Sequence, residues 1–141
     1  MTILRDLARD TRAGTMIEFA LLAPVFLILL LGVYLLGVHL QNFNAVKSVS
    51  ADASREIMVS YQRGNNLKTS EMRAVTLAIA TSAPYLLASD RLGIAVTQET
   101  SSRVTGAEEY NLALTYRFPE IGNVPLDSFS IEYSRPIFVV S

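Results

Sequence analysis

An uncharged, strongly apolar stretch near the start of the chain restricts its fold more than any other sequence feature. It runs from Phe19 to Val38 and reads FALLAPVFLILLLGVYLLGV. A helix rises about 1.5 Å per residue, so a run of about 20 residues spans the hydrocarbon core of a bilayer. A buried helix of a water-soluble protein usually keeps a polar stripe, and this stretch has none. The pattern therefore predicts a transmembrane helix rather than a core helix.

The charges on either side of the apolar stretch predict its orientation. Arg5, Arg9 and Arg12 precede it, and the next Lys or Arg after it is Lys47. Because cytoplasmic flanks are enriched in Lys and Arg, we expect a cytoplasmic N-terminus, a membrane segment at residues 19–40 and an external remainder. A cleaved secretory signal fits less well, since its apolar core is only about 7 to 15 residues long.

Two residues near the inner end of this helix have physical consequences. Pro24 has no amide hydrogen and crowds the carbonyl of Ala20, so we expect a kink there. Glu18 lies at the edge of the apolar run, where a carboxylate is costly unless it reaches the interface or meets a cation. Two interpretations follow: Glu18 stabilises the positive N-terminal end of the helix dipole, or it has a dedicated cationic partner.

The stretch from Arg12 to Val25, RAGTMIEFALLAPV, resembles the beginning of TadE-like proteins, the minor pilin-like subunits of tight-adherence (Tad/Flp) pili. The similarity lies in small residues after an Arg, a Glu-Phe-Ala triplet and a Leu-rich run interrupted by Pro. The resemblance implies a pilin-like subunit anchored in the bacterial inner membrane and later incorporated into a pilus. The partners it implies are a prepilin peptidase, other pilins and Tad assembly components.

The resemblance also implies a processing junction, because prepilin peptidases remove a short basic leader ahead of the apolar helix. A cut between Ala13 and Gly14 would make residues 1–13 the leader and Glu18 the fifth residue of the mature chain, as in related filaments. A cut between Gly14 and Thr15 would match the usual Gly at the end of such leaders but would place Glu18 fourth. We favour the first junction, whose new amino terminus is suited to pair with Glu18 of a neighbouring subunit.

Beyond the apolar run, the periodicity predicts that the first helix continues to about residue 62. Apolar residues recur every four positions at Ala45, Val49, Ala53, Ile57 and Tyr61. The stretch Gly64-Asn65-Asn66 provides a stop, because Gly and Asn tolerate the left-handed conformation that ends helices. A second helix is indicated by Thr69 and Ser70 as caps and by Glu71 in its first turn. Its apolar face is predicted at Met72, Val75, Ile79 and Ala83, with Pro84 near its later part.

Alternating apolar residues in the last third of the chain predict three antiparallel strands. They are Leu92, Ile94 and Val96; then Tyr110, Leu112, Leu114, Tyr116 and Phe118; then Phe129, Ile131, Tyr133, Ile137 and Val139. Turns are expected at residues 101–106 and 119–125, which are rich in Gly, Pro, Ser and Asn. We expect an α+β fold with a leader at 1–13, a long helix at 14–62 and an external domain at 63–141.

Composition and residue types exclude several classes of function. Twelve Lys and Arg against thirteen Asp and Glu leave no basic excess for nucleic acid. The single histidine, His39, falls at the end of the membrane helix, so no Ser-His arrangement forms in the outer domain. Glu108 and Glu109 are adjacent and point to opposite faces of a strand, which favours a solvated edge over an acid-base pair. We expect no catalytic site, metal, cofactor or small-molecule substrate.

Two functional hypotheses remain from the sequence. The first is a minor pilin-like (pseudopilin) subunit of a Tad/Flp-type pilus that is processed by a prepilin peptidase and takes part in assembly or adhesion. The second is an unprocessed single-pass protein whose outer domain is an interaction module in an envelope or secretion complex. In the second hypothesis residues 1–13 stay attached and the helix is only a tether. An anchored enzyme is the least favoured class, because no convergent set of reactive residues is present.

Overall fold

A computed structural model of the protein describes residues 11–118 and 130–140, and the side chains of residues 14–118 and 130–140. It confirms the predicted α+β class, with a long apolar helix, a second helix and a three-stranded antiparallel sheet. Helix α1 spans Thr11–Gln62 and α2 spans Thr69–Thr81. Strands β1, β2 and β3 span Leu92–Gln98, Glu108–Arg117 and Ser130–Val139. The chain divides after Leu40 into two compact units.

Several sequence predictions concern residues outside the described ranges. They are the basic residues Arg5 and Arg9 of the expected leader, the turn at 119–125 and the strand residue Phe129. The side chains of Arg12 and Ala13 are also outside the described residues.

The second unit begins with the amphipathic part of α1, as the four-residue spacing predicts. Val46, Val49, Ala53 and Ile57 are fully buried, and Ser50 and Ser54 share the same buried face. The helix ends in a Schellman motif, in which the amides of Gly64 and Asn65 donate to the carbonyls of Tyr61 (2.9 Å) and Ser60 (3.0 Å). Gly64 has φ +78°, the left-handed conformation in which glycine is least costly.

Helix α2 is present where it was predicted, but its two ends differ in detail. Its N-cap is Lys68 rather than Thr69 or Ser70, because Glu71 accepts the Lys68 amide at 2.7 Å and so satisfies this end of the helix. The helix ends at Thr81, so Ala83 and Pro84 lie beyond it, and Ala83 is exposed. The buried face consists of Met72, Thr76 and Ala80.

The sheet has the order β1-β2-β3, and both pairings are antiparallel. Side chains alternate along β2 from Tyr110 onward, so that Leu112, Leu114 and Tyr116 are buried between neighbours that are more exposed. Tyr110 is buried too, beside Glu109, which is also buried. The buried apolar side chains of β2 contribute to two hydrophobic clusters. One joins Ala53, Ile57, Tyr61, Met72, Tyr110, Leu112, Ile137 and Val139, and the other joins Val46, Val49, Ala80, Leu87, Leu114, Tyr116 and Ile131. Both helices therefore cover one face of the sheet.

Glu109 departs from the expected solvated edge, because the loop between β1 and β2 covers it. Only 4% of its surface is exposed. The Arg103 amide donates to Glu109 Oε2 at 2.9 Å, Arg103 Nε donates to Oε1 at 2.8 Å, and Nη2 adds an ion pair. The Arg103 guanidinium also lies 5.7 Å from the centre of the Phe138 ring. Hydrogen bonds from Arg103 lower the pKa of Glu109.

We expect Leu112→Ala to lower the free energy of unfolding by about 2 to 5 kcal/mol, because it opens a cavity at a fully buried position of the central strand. Leu77→Ala is a matched control on the more exposed face of α2, with an expected loss below about 1 kcal/mol. Urea unfolding of the full chain in detergent, followed by tyrosine fluorescence because the chain has no tryptophan, measures both values. Equal losses would contradict the burial of Leu112 in the core and the exposure of Leu77.

We also expect acid to release the β1–β2 loop. The unfolded pKa of Glu is about 4.3 and the folded pKa of Glu109 is lower, so the unfolded chain binds more protons between these values. The contribution of Glu109 is therefore complete above the unfolded pKa and is lost as pH falls through the folded one. Hydrogen exchange of residues 99–107 between about pH 6 and pH 2 measures this release. Glu109→Gln should remove most of this pH dependence, and the exposed control Glu132→Gln should retain it.

Candidate functional site

The first compact unit contains an apolar helical surface that no described residue covers. Large hydrophobic side chains along this part of α1 are more than half exposed at most positions, including Phe19, Leu22, Phe26, Leu30 and Val33. Within the described residues, α1 is the one helix that is long and apolar enough to cross a membrane. Apolar surface of this extent around a whole helix is stable only in contact with lipid or with other helices.

The residues expected to guide processing and assembly lie at the start of this surface. Gly14 and Glu18 are both helical and exposed, and their spacing of four residues places them on the same face, about 6 Å apart along the axis. A Cβ atom added at Gly14 would meet no described atom within 4 Å. The helix therefore leaves both positions accessible to another molecule.

Pro24 lies inside α1, as the sequence requires, and the helix extends on both sides of it. The kink expected at this residue stays a prediction. A Cβ atom added at Gly32 or Gly37 would likewise meet no described atom within 4 Å, so both glycines leave room for close approach of another helix.

A second candidate site is a cleft of about 520 Å³ in the second unit. It lies between the start of α2 and the neighbouring ends of β1 and β2. Its lining residues are Tyr61, Asn66, Leu67, Lys68, Thr69, Ser70, Gln98, Glu108 and Tyr110. Most of these side chains are polar, and they include one cation and one carboxylate.

Two tyrosine hydroxyls lie side by side at this cleft. Tyr61 donates to the carbonyl of Leu67 at 2.9 Å, Tyr110 donates to Glu108 Oε2 at 2.9 Å, and the two hydroxyl oxygens are 3.5 Å apart. Burial raises the pKa of Tyr110, and the hydrogen bonds with Tyr61 and Glu108 raise it further. The Tyr110 hydroxyl therefore stays protonated at neutral pH and remains a hydrogen-bond donor to Glu108.

Tyr85 forms a comparable bond outside the cleft. Its hydroxyl donates to Asp52 Oδ2 at 2.6 Å and links the segment after α2 to α1. This hydrogen bond to Asp52 raises the pKa of Tyr85. Tyr85 and Tyr110 thus both donate to a carboxylate, but only Tyr110 lines the cleft.

Sequence reasoning missed the cleft because its residues come from four separate segments. The alternation along β2 indicates that Tyr110 is buried, and the structure agrees with this core assignment. Nothing in the alternation shows that its hydroxyl meets Tyr61 from α1. Among the residues that the structure describes, no group of three or more His, Cys, Asp or Glu residues is placed to hold a metal ion.

Residues 14–55 match the family model described as TadE-like protein. The matched range contains Glu18, Pro24, the apolar surface and the first part of the amphipathic stretch that packs on the sheet. It confirms the resemblance seen in the sequence, and TadE-like proteins are a pilus-associated structural family that is not known for enzymes. No curated protein and no solved structure matches the chain significantly. Over residues 14–55 the chain is thus similar to TadE-like proteins.

Proposed function

We propose that the protein is a minor pilin-like (pseudopilin) subunit of a Tad/Flp-type pilus, processed by a prepilin peptidase and acting in pilus assembly or adhesion. The observation that carries this proposal is the combination of Glu18 with an uncovered apolar helix inside the TadE-like segment. Before assembly, this helix lies in the inner membrane with its N-terminus in the cytoplasm. Other pilins and Tad assembly components are its partners afterwards.

The apolar surface supports this proposal because it suits both environments of a filament subunit. Lipid covers it in the membrane, and neighbouring apolar helices cover it in a filament. Transfer between two apolar environments costs little, since both keep the side chains away from water. Gly32 and Gly37 add places where helices can approach closely.

Glu18 can fix the position of one helix along its neighbour, which an apolar surface alone does not do. Hydrophobic packing is non-directional, so it does not fix how far one helix slides along another. A carboxylate in apolar surroundings needs a cation, and removing one partner of such a pair costs about 3 to 5 kcal/mol. We infer that Glu18 pairs with the amino terminus of a neighbouring processed subunit and so sets the register between them.

The competing role for Glu18 is an interaction with its own helix dipole. A carboxylate near a helix N-terminus contributes about 0.3 to 1 kcal/mol at an exposed site. This amount affects the helix slightly and does not depend on a second subunit. The two roles therefore predict different outcomes when the carboxylate is removed.

Cleavage by the prepilin peptidase can be measured directly. We expect the protein extracted from membranes that contain the prepilin peptidase to begin at Gly14, so its intact mass should lack residues 1–13. A mass that also lacks Gly14 would assign the alternative junction before Thr15. Membranes with a catalytically inactive peptidase are the control and should yield the unprocessed chain. Unprocessed protein in both samples would instead support the single-pass interaction module.

The role of Glu18 in assembly can be tested by removing its carboxylate. We expect Glu18→Ala to insert into the membrane normally but to be strongly depleted from sheared pili, because the neighbouring amino terminus loses its partner. Glu56→Ala, which removes an exposed glutamate from the same helix, is the matched control and should assemble normally. Immunoblots of the membrane and pilus fractions give the ratio for each variant. Normal assembly of Glu18→Ala would leave only the dipole role.

A further inference from the structure

Strand β1 forms one edge of the sheet, and its outer side is unpaired within the described residues. The Glu99 amide donates to the Glu109 carbonyl at 2.8 Å, so Glu99 and every second residue before it direct their backbone groups toward β2. The residues between them direct theirs outward, and these are Leu92, Ile94, Val96 and Gln98. The Leu92 amide donates to the Ser89 carbonyl. The other three outward amides have no backbone acceptor among the residues that the structure describes.

The two edges of the sheet differ in how they are protected. Natural sheets usually blunt an exposed edge with proline, charged side chains or bulges, because unpaired backbone groups attract other strands. Edge strand β3 contains Pro136, which has no amide hydrogen, and the charged residues Glu132 and Arg135. Strand β1 contains no proline and no charged residue, and its pairing with β2 runs from Leu92 to Gln98 without a bulge. The β1 edge is therefore the one suited to accept another strand.

The hydrophobic core is incomplete beside this edge. Ile94 and Val96 pack against the two hydrophobic clusters but are only partly buried, and so is Ile79 of α2. Their β2 neighbours Leu112 and Leu114 are fully buried. A strand added to the β1 edge would lie about 4.8 Å away and would cover the open side of these residues. Apolar burial would thus accompany the new backbone hydrogen bonds.

The sequence of β1 is complementary to itself when two copies run antiparallel about Ala95. In this register Ile94 of each copy lies opposite Val96 of the other, so the apolar pair occurs twice. Both residues face outward, and their amides and carbonyls therefore pair directly. The Gln98 amide meets the Leu92 carbonyl of the other copy. All the outward amides that lack an acceptor in one copy are thus satisfied by the second.

The charges at the ends of β1 favour the same register. Arg91 directly precedes the strand and Glu99 directly follows it, with no charge between them. About Ala95, Arg91 of each copy lies opposite Glu99 of the other, and Asp90 lies opposite the uncharged Thr100. Moving the axis by one residue in either direction would place Arg91 opposite an uncharged residue. Exposed ion pairs contribute little to affinity, so these charges select the register more than they strengthen it.

We propose that β1 is an interface between two copies of this chain, which pair antiparallel through their β1 edges about a two-fold axis at Ala95. The same surface is used by both copies, as in other two-fold dimers, and the two sheets become one continuous sheet. This goes beyond the proposed role in pilus assembly, because it rests on the second unit alone. Neither cleavage of the leader nor Glu18 takes part in it.

Disulfide cross-linking tests this pairing, since the native chain has no cysteine. Ala95→Cys places a thiol on the two-fold axis, opposite its own copy and within reach of a disulfide. Ser134→Cys is the matched control, because Ser134 is also exposed and lies in the same row of the sheet at the β3 edge. After oxidation of the full chain in detergent, we expect about tenfold more disulfide dimer from Ala95→Cys on non-reducing gels. Equal cross-linking, or more through Ser134→Cys, would overturn the proposal.

Charge reversal tests the register. Arg91→Glu and Glu99→Arg each place like charges opposite one another at both ends of the paired strands, so we expect about fivefold weaker dimerisation in sedimentation experiments. The double variant restores opposite charges and should recover dimerisation. The Arg91 guanidinium also lies 6.0 Å from the centre of the Tyr116 ring, and the double variant lacks this contact as well. Recovery therefore assigns the effect to pairing between copies, and no recovery, or unchanged dimerisation in both single variants, would refute it.

Discussion

The structure depends on the need to keep an apolar helix surface away from water. In the first unit, the hydrophobic side chains of α1 project from all sides of the helix, and none of the described residues covers them. Within the same helix, the backbone amides and carbonyls are already paired, so a lipid environment leaves few backbone groups unsatisfied. In such an environment the apolar segment would need no tertiary packing of its own. Its apolar surface stays available for other helices.

From Gln41 onward, α1 belongs to the second unit and packs against the other elements of that unit. Its apolar residues narrow to one face, where small side chains let the helix lie close to the other elements. Ala53 and Ser54 are buried beside Ile57, and the Ser54 hydroxyl donates to the Ser50 carbonyl at 2.6 Å. A larger residue at these positions would hold the helix away from the sheet. Helix α1 thus contributes the apolar segment of the first unit and part of the core of the second.

Sequence patterns predicted the elements because each depends on local spacing. Four-residue spacing predicted the part of α1 beyond the apolar run, and alternation predicted the three strands. Gly64, which has a left-handed backbone conformation, predicted the end of α1. Contacts between segments that are distant in the sequence were harder to predict. Glu109 looked like a solvated edge residue because nothing local shows that Arg103 folds over it. The cap at Lys68 was missed for a related reason, since the preference for Thr and Ser does not show that Glu71 reaches back.

In the proposed assembly, processing would replace the basic side chains before Glu18 by a new amino terminus, so the position of the junction decides where this positive charge lies. In the full sequence, Arg12 is the nearest basic residue before Glu18, and Lys47 is the first Lys or Arg after it. A cut after Ala13 removes Arg12 together with the rest of the leader and creates an ammonium at Gly14. An ammonium on the backbone has no long side chain to order, so less conformational entropy is lost when it pairs. In a neighbouring helix shifted by about one turn, this ammonium lies at the depth of Glu18. In the proposed assembly, the same cut would therefore remove the nearest preceding basic side chain and provide an ammonium that fixes the stagger between subunits.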